Sequence, residues 1–272
     1  MNLSWSRSLI VAGSMALWLP LPGSAQSFGA GISPSKFELR ARQGQVLRDT
    51  VTVVNPDKQT ADYKFRTADW RLSDTGNVEF FVEELQEGSC RSWVRLERKT
   101  VSVRGGGLKR YRVEIHVPED AAPGLCSFAI MIEPGDEVMT RLGPDGQLRF
   151  PVVGRYAVIT YVTVGDAKAK VDFLGMGETM INDQRLPTLR LRNDGNTYDR
   201  AFGQVMATDA DGRRIPLIAS TFPVLPGRTE EIVLAPESPE RDASPVGLSY
   251  PLALKGKVEI AGTTIKVDDV FE

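Results

Sequence analysis

Short segments with a two-residue hydrophobic period follow one another along this chain, separated by turn chemistry, and none carries a sustained helical period. Tyr63, Phe65 and Thr67 alternate with Lys64, Arg66 and Ala68; Cys126, Phe128, Ile130 and Ile132 form another inward row. Side chains of a β-strand point to opposite faces in turn, so such rows are strands with one oily face. Further strands are expected at Lys36 to Leu39, around Leu47, Val51 and Val53, at Val78 to Leu85, and at Arg110 to Val117. Trp93 to Leu96 and Thr100 to Val103 read as neighbours of one another. The longest such stretch is QLRFPVVGRYAVITYVTVG, Gln147 to Gly165, which reads as one extended strand near a sheet edge. Roughly seven short strands at regular spacing are the signature of an antiparallel sandwich.

After Gly165 the pattern starts again. TVTVVNPDKQTADYKFRTAD, Thr50 to Asp69, is echoed by TLRLRNDGNTYDRAFGQVMATD, Thr188 to Asp209. In both, an alternating strand ends in Asn, a polar turn follows, and a second strand ends in Asp. Pro118-Glu119-Asp120 and Gly124 before one long strand are likewise echoed by Pro236-Glu237-Ser238 and Gly247 before Leu252 to Ile260. The chain is therefore expected to be all-β, with two immunoglobulin-like β-sandwich domains in tandem, 26–165 and 166–272. No long Gly/Ser linker separates them, so they should abut at a near-fixed angle.

The first 25 residues read as a signal peptide. Arg7 precedes the apolar run Leu9 to Leu21, and Gly23-Ser24-Ala25 supplies a small-residue exit. The run is short and broken by Pro20 and Pro22, which argues against a membrane anchor, and no stable membrane insertion is expected. The expected location is the periplasm. An exported chain with two cysteines, Cys90 and Cys126, suggests one disulfide.

Composition excludes several functions. With 33 basic and 35 acidic residues the net charge is -2, so no global field calls for nucleic acid. The basic residues from Arg91 to Arg112 lack interleaved aromatics and read as a solvated strand face. The single histidine, His116, lies on a polar strand face with Arg112 and Glu114, so no histidine-based catalytic triad has support. Zinc would need more Cys or His. Asp209-x-Asp211-Gly212 begins like a calcium loop, but Ile215-Pro216-Leu217 stands where later oxygens would be needed, so it reads as a hairpin turn. Gly105 to Gly107 precedes a strand and is no phosphate cradle. No cofactor and no enzymatic activity are expected.

What remains is a surface that binds. Leu148, Phe150 and Val152 alternate along a strand whose edge could accept another chain, or else fill the domain's own core. Two cations stand out: Lys36 in ISPSKFEL and Arg155 in the otherwise uncharged run from Phe150 to Gly165. With no acid in either segment taken as a partner, both are expected to face the groove between the sandwiches and await a carboxylate from outside, or to reach water. Trp70 and Trp93 are the only aromatic platforms for a carbohydrate, and both read as core.

These features resemble the periplasmic pilus-assembly chaperones of the chaperone–usher pathway. The likeness lies in the export signal, the two immunoglobulin-like units, the cation in ISPSKFEL, the alternating LRFPV, and the cation in GRYAVITYVTV. It implies a non-enzymatic chaperone that donates a strand to an incomplete secreted pilus-like subunit, with an outer-membrane usher as the second partner. By that resemblance Lys36 and Arg155 would anchor the subunit's C-terminal carboxylate, and Leu148, Phe150 and Val152 would be the donated row. Family members usually carry arginine first and lysine second, the reverse of this order, which keeps the charge and changes the geometry. Arg155 is also out of phase with the donated row, so a local twist or bulge is required to turn it inward, and Pro151 removes one N–H from the row. The alternative is a structural or adhesive envelope protein of the same two units whose last strand donates nothing.

Overall fold

The computed structural model describes residues 30–73, 77–86, 88–135, 139–142, 149–152, 154–237 and 246–272, with only the backbone of 139–142 and 149–152. The expected signal peptide and Leu148 lie outside these residues. Among the described residues the first domain has twelve strands in chain order, ten in the sandwich and two in a separate ribbon. They are β1 (Gly31–Ser33), β2 (Lys36–Ala41), β3 (Val46–Val54), β4 (Ala61–Leu72), β5 (Val78–Phe81) and β6 (Val94–Leu96). Then come β7 (Thr100–Val103), β8 (Leu108–His116), β9 (Gly124–Pro134), β10 (Met139–Leu142), β11 (Arg149–Val152) and β12 (Tyr156–Val164).

One sheet runs β1-β3-β8-β6; the sheet facing it runs β2-β12-β9-β4-β5, with β7 also on β4. The two-residue period explains the core between them. Val51 and Val53 of β3 and Val113 and Ile115 of β8 meet Phe128, Ile130 and Ile132 of β9 and Val158 and Val162 of β12, all buried. Phe65 and Tyr111 stack across the sandwich with ring centroids 3.8 Å apart. Cys90 and Cys126 form a disulfide with Cα atoms 6.0 Å apart, tying the segment before β6 to β9.

Three expectations are corrected here. β6 and β7 are near in sequence but pair with different sheets, β6 with β8 and β7 with β4, because the chain crosses the sandwich between them. The stretch Gln147 to Gly165 is not one strand. It breaks between β11 and β12, and β11 pairs antiparallel with β10 in a separate two-stranded ribbon. β12 is also not an edge: it lies between β9, antiparallel, and β2, parallel.

The second sandwich contains β13 (Val171–Ile181), β14 (Gln184–Asn193), β15 (Asp199–Arg200), β16 (Phe202–Thr208) and β17 (Arg214–Ala219). It is completed by β18 (Pro223–Val224), β19 (Thr229–Pro236), β20 (Leu252–Ile260) and β21 (Thr263–Phe271). One continuous path, β13-β14-β19-β17-β16-β20-β21, wraps a core that includes Leu189, Leu191, Leu217, Ile232, Leu234, Leu252 and Leu254. Asp209 to Gly212 is the expected tight turn. Gly212 has φ +77° and its N–H donates to Asp209 O, while Arg213 occupies the Asp209 carboxylate. Gly105 earns its place by proximity, since a Cβ there would collide with the carbonyl of Lys58.

The molecule is thus all-β, two immunoglobulin-like sandwiches in tandem, and the two touch through specific bonds. Leu125 N–H donates to Asn196 O at 2.8 Å, Asn196 Nδ2 donates to Pro123 O at 2.9 Å, and the Thr163 and Thr197 hydroxyls lie 2.9 Å apart. Among the described residues no helix is long and apolar enough to cross a membrane.

Candidate functional site

Pairing and alternation decide which way each predicted site residue points. In β2, Phe37 and Ala41 are buried in the first core, so Lys36, Glu38 and Arg40 lie on the outer face of the sheet. In β12, Val158, Val162 and Val164 face the core, which turns Ala157, Ile159 and Tyr161 outward. Arg155 precedes β12 in the same phase and meets Glu133 of the adjacent β9 at 3.3 Å.

Lys36 and Arg155 therefore share one sheet face. Lys36 stands beside Ile159, four positions beyond Arg155, so their backbones are about 14 Å apart at ordinary strand spacing. The floor beside them is apolar: Ala157 and Ile159 of β12 with Ala129 and Met131 of β9, backed by Ala68 and Trp70 of β4.

Neither cation lacks an acid, contrary to the expectation. Lys36 Nζ is 3.0 Å from Glu38 Oε1, and Arg155 Nε is 3.3 Å from Glu133 Oε1. Both cations remain largely exposed, at 48% and 62% of the side chain. Glu38 was within sight of sequence reasoning, because residues two apart share a strand face. Glu133 was not, because only the β9–β12 register brings it to Arg155.

Reasoning from sequence also missed Arg200. Its guanidinium reaches from the second domain to Glu38, with Nη2 at 2.7 Å and Nε at 3.0 Å, and its side chain is only 13% exposed. It also donates to Thr221 O and lies over the rings of Tyr161 and Tyr198, 5.6 and 5.4 Å from their centroids. Tyr161 and Tyr198 touch at 4.6 Å between centroids. A cavity of about 240 Å³ opens beside this clasp, lined by Glu38, Arg40, Thr163, Tyr198, Arg200 and Phe202 among others. Burial raises the Glu38 pKa, but hydrogen bonds from Lys36 and Arg200 outweigh it and hold the carboxyl below its ordinary value. Burial, reinforced by the Glu38 charge, pushes the Tyr198 hydroxyl up to about 12.

Arg91 corrects another reading. It is no part of a solvated face: its side chain is 12% exposed and donates to the carbonyls of Thr67, Phe81, Val82 and Glu84. It thereby straps the excursion after β5 onto β4. His116 is on the surface as expected, 3.1 Å from Glu114. Trp93 packs against the first core, and Trp70 meets Tyr161 edge-on.

The backbone beside the cations is open. From Ile159 onward β12 is paired on both sides; Ala157 and Val158 have β9 as their one ladder partner among the described residues, and the Tyr156 hydroxyl accepts from Ala30 N. The lane that β2 occupies starts at Lys36, and no strand among the described residues continues it alongside Ala157 and Val158. β11 likewise has one pairing edge on β10 and no second partner among the described residues. The site offers strand edges, two exposed cations and an apolar floor. Among the described residues no group of three or more His, Cys, Asp or Glu side chains could hold a metal ion.

No family model matches the chain, and no curated protein matches it in sequence. Among solved structures, the chain is similar to the class 5 fimbriae chaperone CfaA, with 12% identity, 82% of this chain and 100% of that one covered, and a TM-score of 0.45. It is also similar to the Pseudomonas aeruginosa CupB2 chaperone, at 14% identity, 88% and 99% coverage and a TM-score of 0.43. A third is a chain of the CsuC–CsuE chaperone–tip adhesion subunit complex of Acinetobacter baumannii, at 12% identity, 88% and 97% coverage and a TM-score of 0.43.

Proposed function

We propose that this protein is a periplasmic chaperone that captures an exported pilus-like subunit by strand addition and passes it to an outer-membrane usher. The observation that carries this reading is the lane beside Ala157 and Val158, which no strand among the described residues fills, closed at its far end by Lys36 and flanked by Arg155. An extended chain entering that lane parallel to β12 would find backbone partners along its length. Its C-terminal carboxylate would come to rest where β2 begins, between the two cations. In this reading Leu148, Phe150 and Val152 are the row lent to the subunit, and the edge of β11 that has no partner among the described residues supports that use. Both anchor side chains are largely exposed and each acid keeps a second arginine, so exchanging an internal carboxylate for an external one costs little.

The test is co-expression with small exported proteins encoded beside it. A soluble one-to-one complex is expected, and Lys36→Ala or Arg155→Ala should abolish it. Retention of the complex by both variants would overturn the anchor. Failure to hold any such protein would favour a structural or adhesive envelope role.

A further inference from the structure

The two proposed anchors are held by their neighbours in the same way, although they lie on different strands. Arg155 is 3.3 Å from Glu133 Oε1, and the same oxygen receives Arg66 Nη2 at 2.7 Å. Lys36 is 3.0 Å from Glu38 Oε1, and the same oxygen receives Arg200 Nη2 at 2.7 Å and Nε at 3.0 Å. In each group the anchor has the longer contact and the more exposed side chain. Arg155 is 62% exposed against 38% for Arg66, and Lys36 is 48% exposed against 13% for Arg200. Each carboxylate therefore has one tightly held arginine and one loosely held cation.

We propose that Glu38 and Glu133 are positioning residues that park the two anchor cations in the free protein and release them to an incoming carboxylate. This rests on the strand-capture reading above. The physical reason is the second arginine. A carboxylate that loses its only cation on a partly buried face is left with an unpaired charge, and that cost opposes ligand binding. Glu133 keeps Arg66 and Glu38 keeps Arg200, so neither is orphaned when its anchor swings away. Parking also holds two long side chains near the open lane before the ligand arrives, which reduces the entropy lost on binding. It adds selectivity as well, because a neutral chain end has no charge with which to draw the cations from their acids.

The probes are a synthetic peptide of alternating valine and threonine with a free C-terminal carboxylate, and the same peptide ending in an amide. The wild-type protein should bind the acid more tightly than the amide. Glu133→Gln removes the competitor for Arg155 and should raise affinity for the acid about two- to fivefold, the range of an ion pair whose cation stays in water, with the amide unchanged. Glu38→Gln should act in the same direction. Arg66→Gln leaves Glu133 with Arg155 alone, and should weaken the acid without affecting the amide. A merely structural role for Arg66 would weaken both peptides equally. Glu133 carries the cleaner comparison, since Glu38 also joins the two domains. If the wild type prefers the acid and both glutamine variants at Glu38 and Glu133 leave that preference unchanged or reduced, parking is wrong while the anchor stands. Equal binding of the two peptides by the wild type, or binding of neither, overturns the capture reading and parking with it.

Discussion

Asn55 and Asn193 occupy equivalent points of the two domains and are both fully buried. Asn55 Nδ2 donates to Gln59 O and Val103 O, and Asn193 Nδ2 donates to Thr197 O and Val224 O. In each, the amide ties a turn to a distant strand end, satisfying carbonyls that would otherwise be buried unpaired. Each domain then buries an aspartate, Asp69 and Asp209, and there the domains part: Asp209 directly follows the end of β16, whereas β4 runs on past Asp69 to Leu72, contrary to the expectation that both strands end in Asp. Asp209 caps a tight hairpin, accepting from Asp211 N, Arg213 N and the Arg213 guanidinium. Asp69 accepts from Gln86 N and Ser89 Oγ, at the far end of an excursion through β5. The Asp209 hairpin closes at once by adjacent pairing; in the first domain β5 pairs back onto β4, and the segment after β5 is held by Arg91 and by the neighbouring disulfide. One repeated unit can therefore carry a long insertion, provided a buried cation and a covalent link hold the part of it that follows the β4–β5 ladder.

The largest test of this contrast is removal of the disulfide. Replacing Cys90 and Cys126 by serine should cost the first domain about 3–4 kcal/mol in the chain-entropy model, for a separation of 36 residues. Domain-resolved hydrogen exchange should find the second domain's protection unchanged, and equal losses in both would break the comparison. Next come the asparagines. Asn193 Oδ1 also accepts from Lys170 N and Gly195 N, whereas Asn55 Oδ1 accepts from Asp57 N. Asn193→Ala should cost about 3 kcal/mol and Asn55→Ala about 2 kcal/mol, measured by urea unfolding, because one more buried bond is lost.

A smaller effect is expected at the domain junction. The folded pKa of Glu38 lies below its ordinary value of 4.5. Its stabilising contribution is therefore complete above that value and lost as pH falls through the lowered folded pKa. Glu38→Gln should destabilise by less than about 1 kcal/mol at neutral pH, given its exposure, and the difference from wild type should vanish in strong acid. Smallest of all, Arg155→Ala should change stability by no more than about 0.5 kcal/mol, since an exposed side chain is removed. Its effect belongs to subunit binding, and a large unfolding shift would show that Arg155 supports the first domain instead.

Much of the fold was legible because alternation is a local property of the strand backbone. The inner row Cys126, Phe128, Ile130 and Ile132 is buried as its spacing requires, and so is Val51 with Val53. The Asn-to-Asp repeat was legible too, although its purpose was not: the carbonyls that Asn55 and Asn193 satisfy are supplied partly by Val103 and Val224, far along the chain. The candidate site was less legible. Lys36 and Arg155 were visible as isolated charges, and Glu38 shares a strand face with Lys36 within the same short segment. Arg66 and Glu133 were invisible as a pair, because nothing local distinguishes them from other polar residues on strands.

What the sequence determined by itself is which residues of each strand face inward, where the turns fall, and that one unit occurs twice. Each follows from backbone geometry over a few residues, where alternation and turn chemistry leave little choice. Tertiary structure alone decided that β12 lies between β2 and β9, that β6 and β7 join different sheets, and that Arg200 reaches Glu38 across 162 positions. The reason is degeneracy. Many strands here carry nearly the same alternating pattern, so the pattern cannot choose a partner. That choice rests on the joint packing of two sheets and on which charges are left facing one another once the cores have closed.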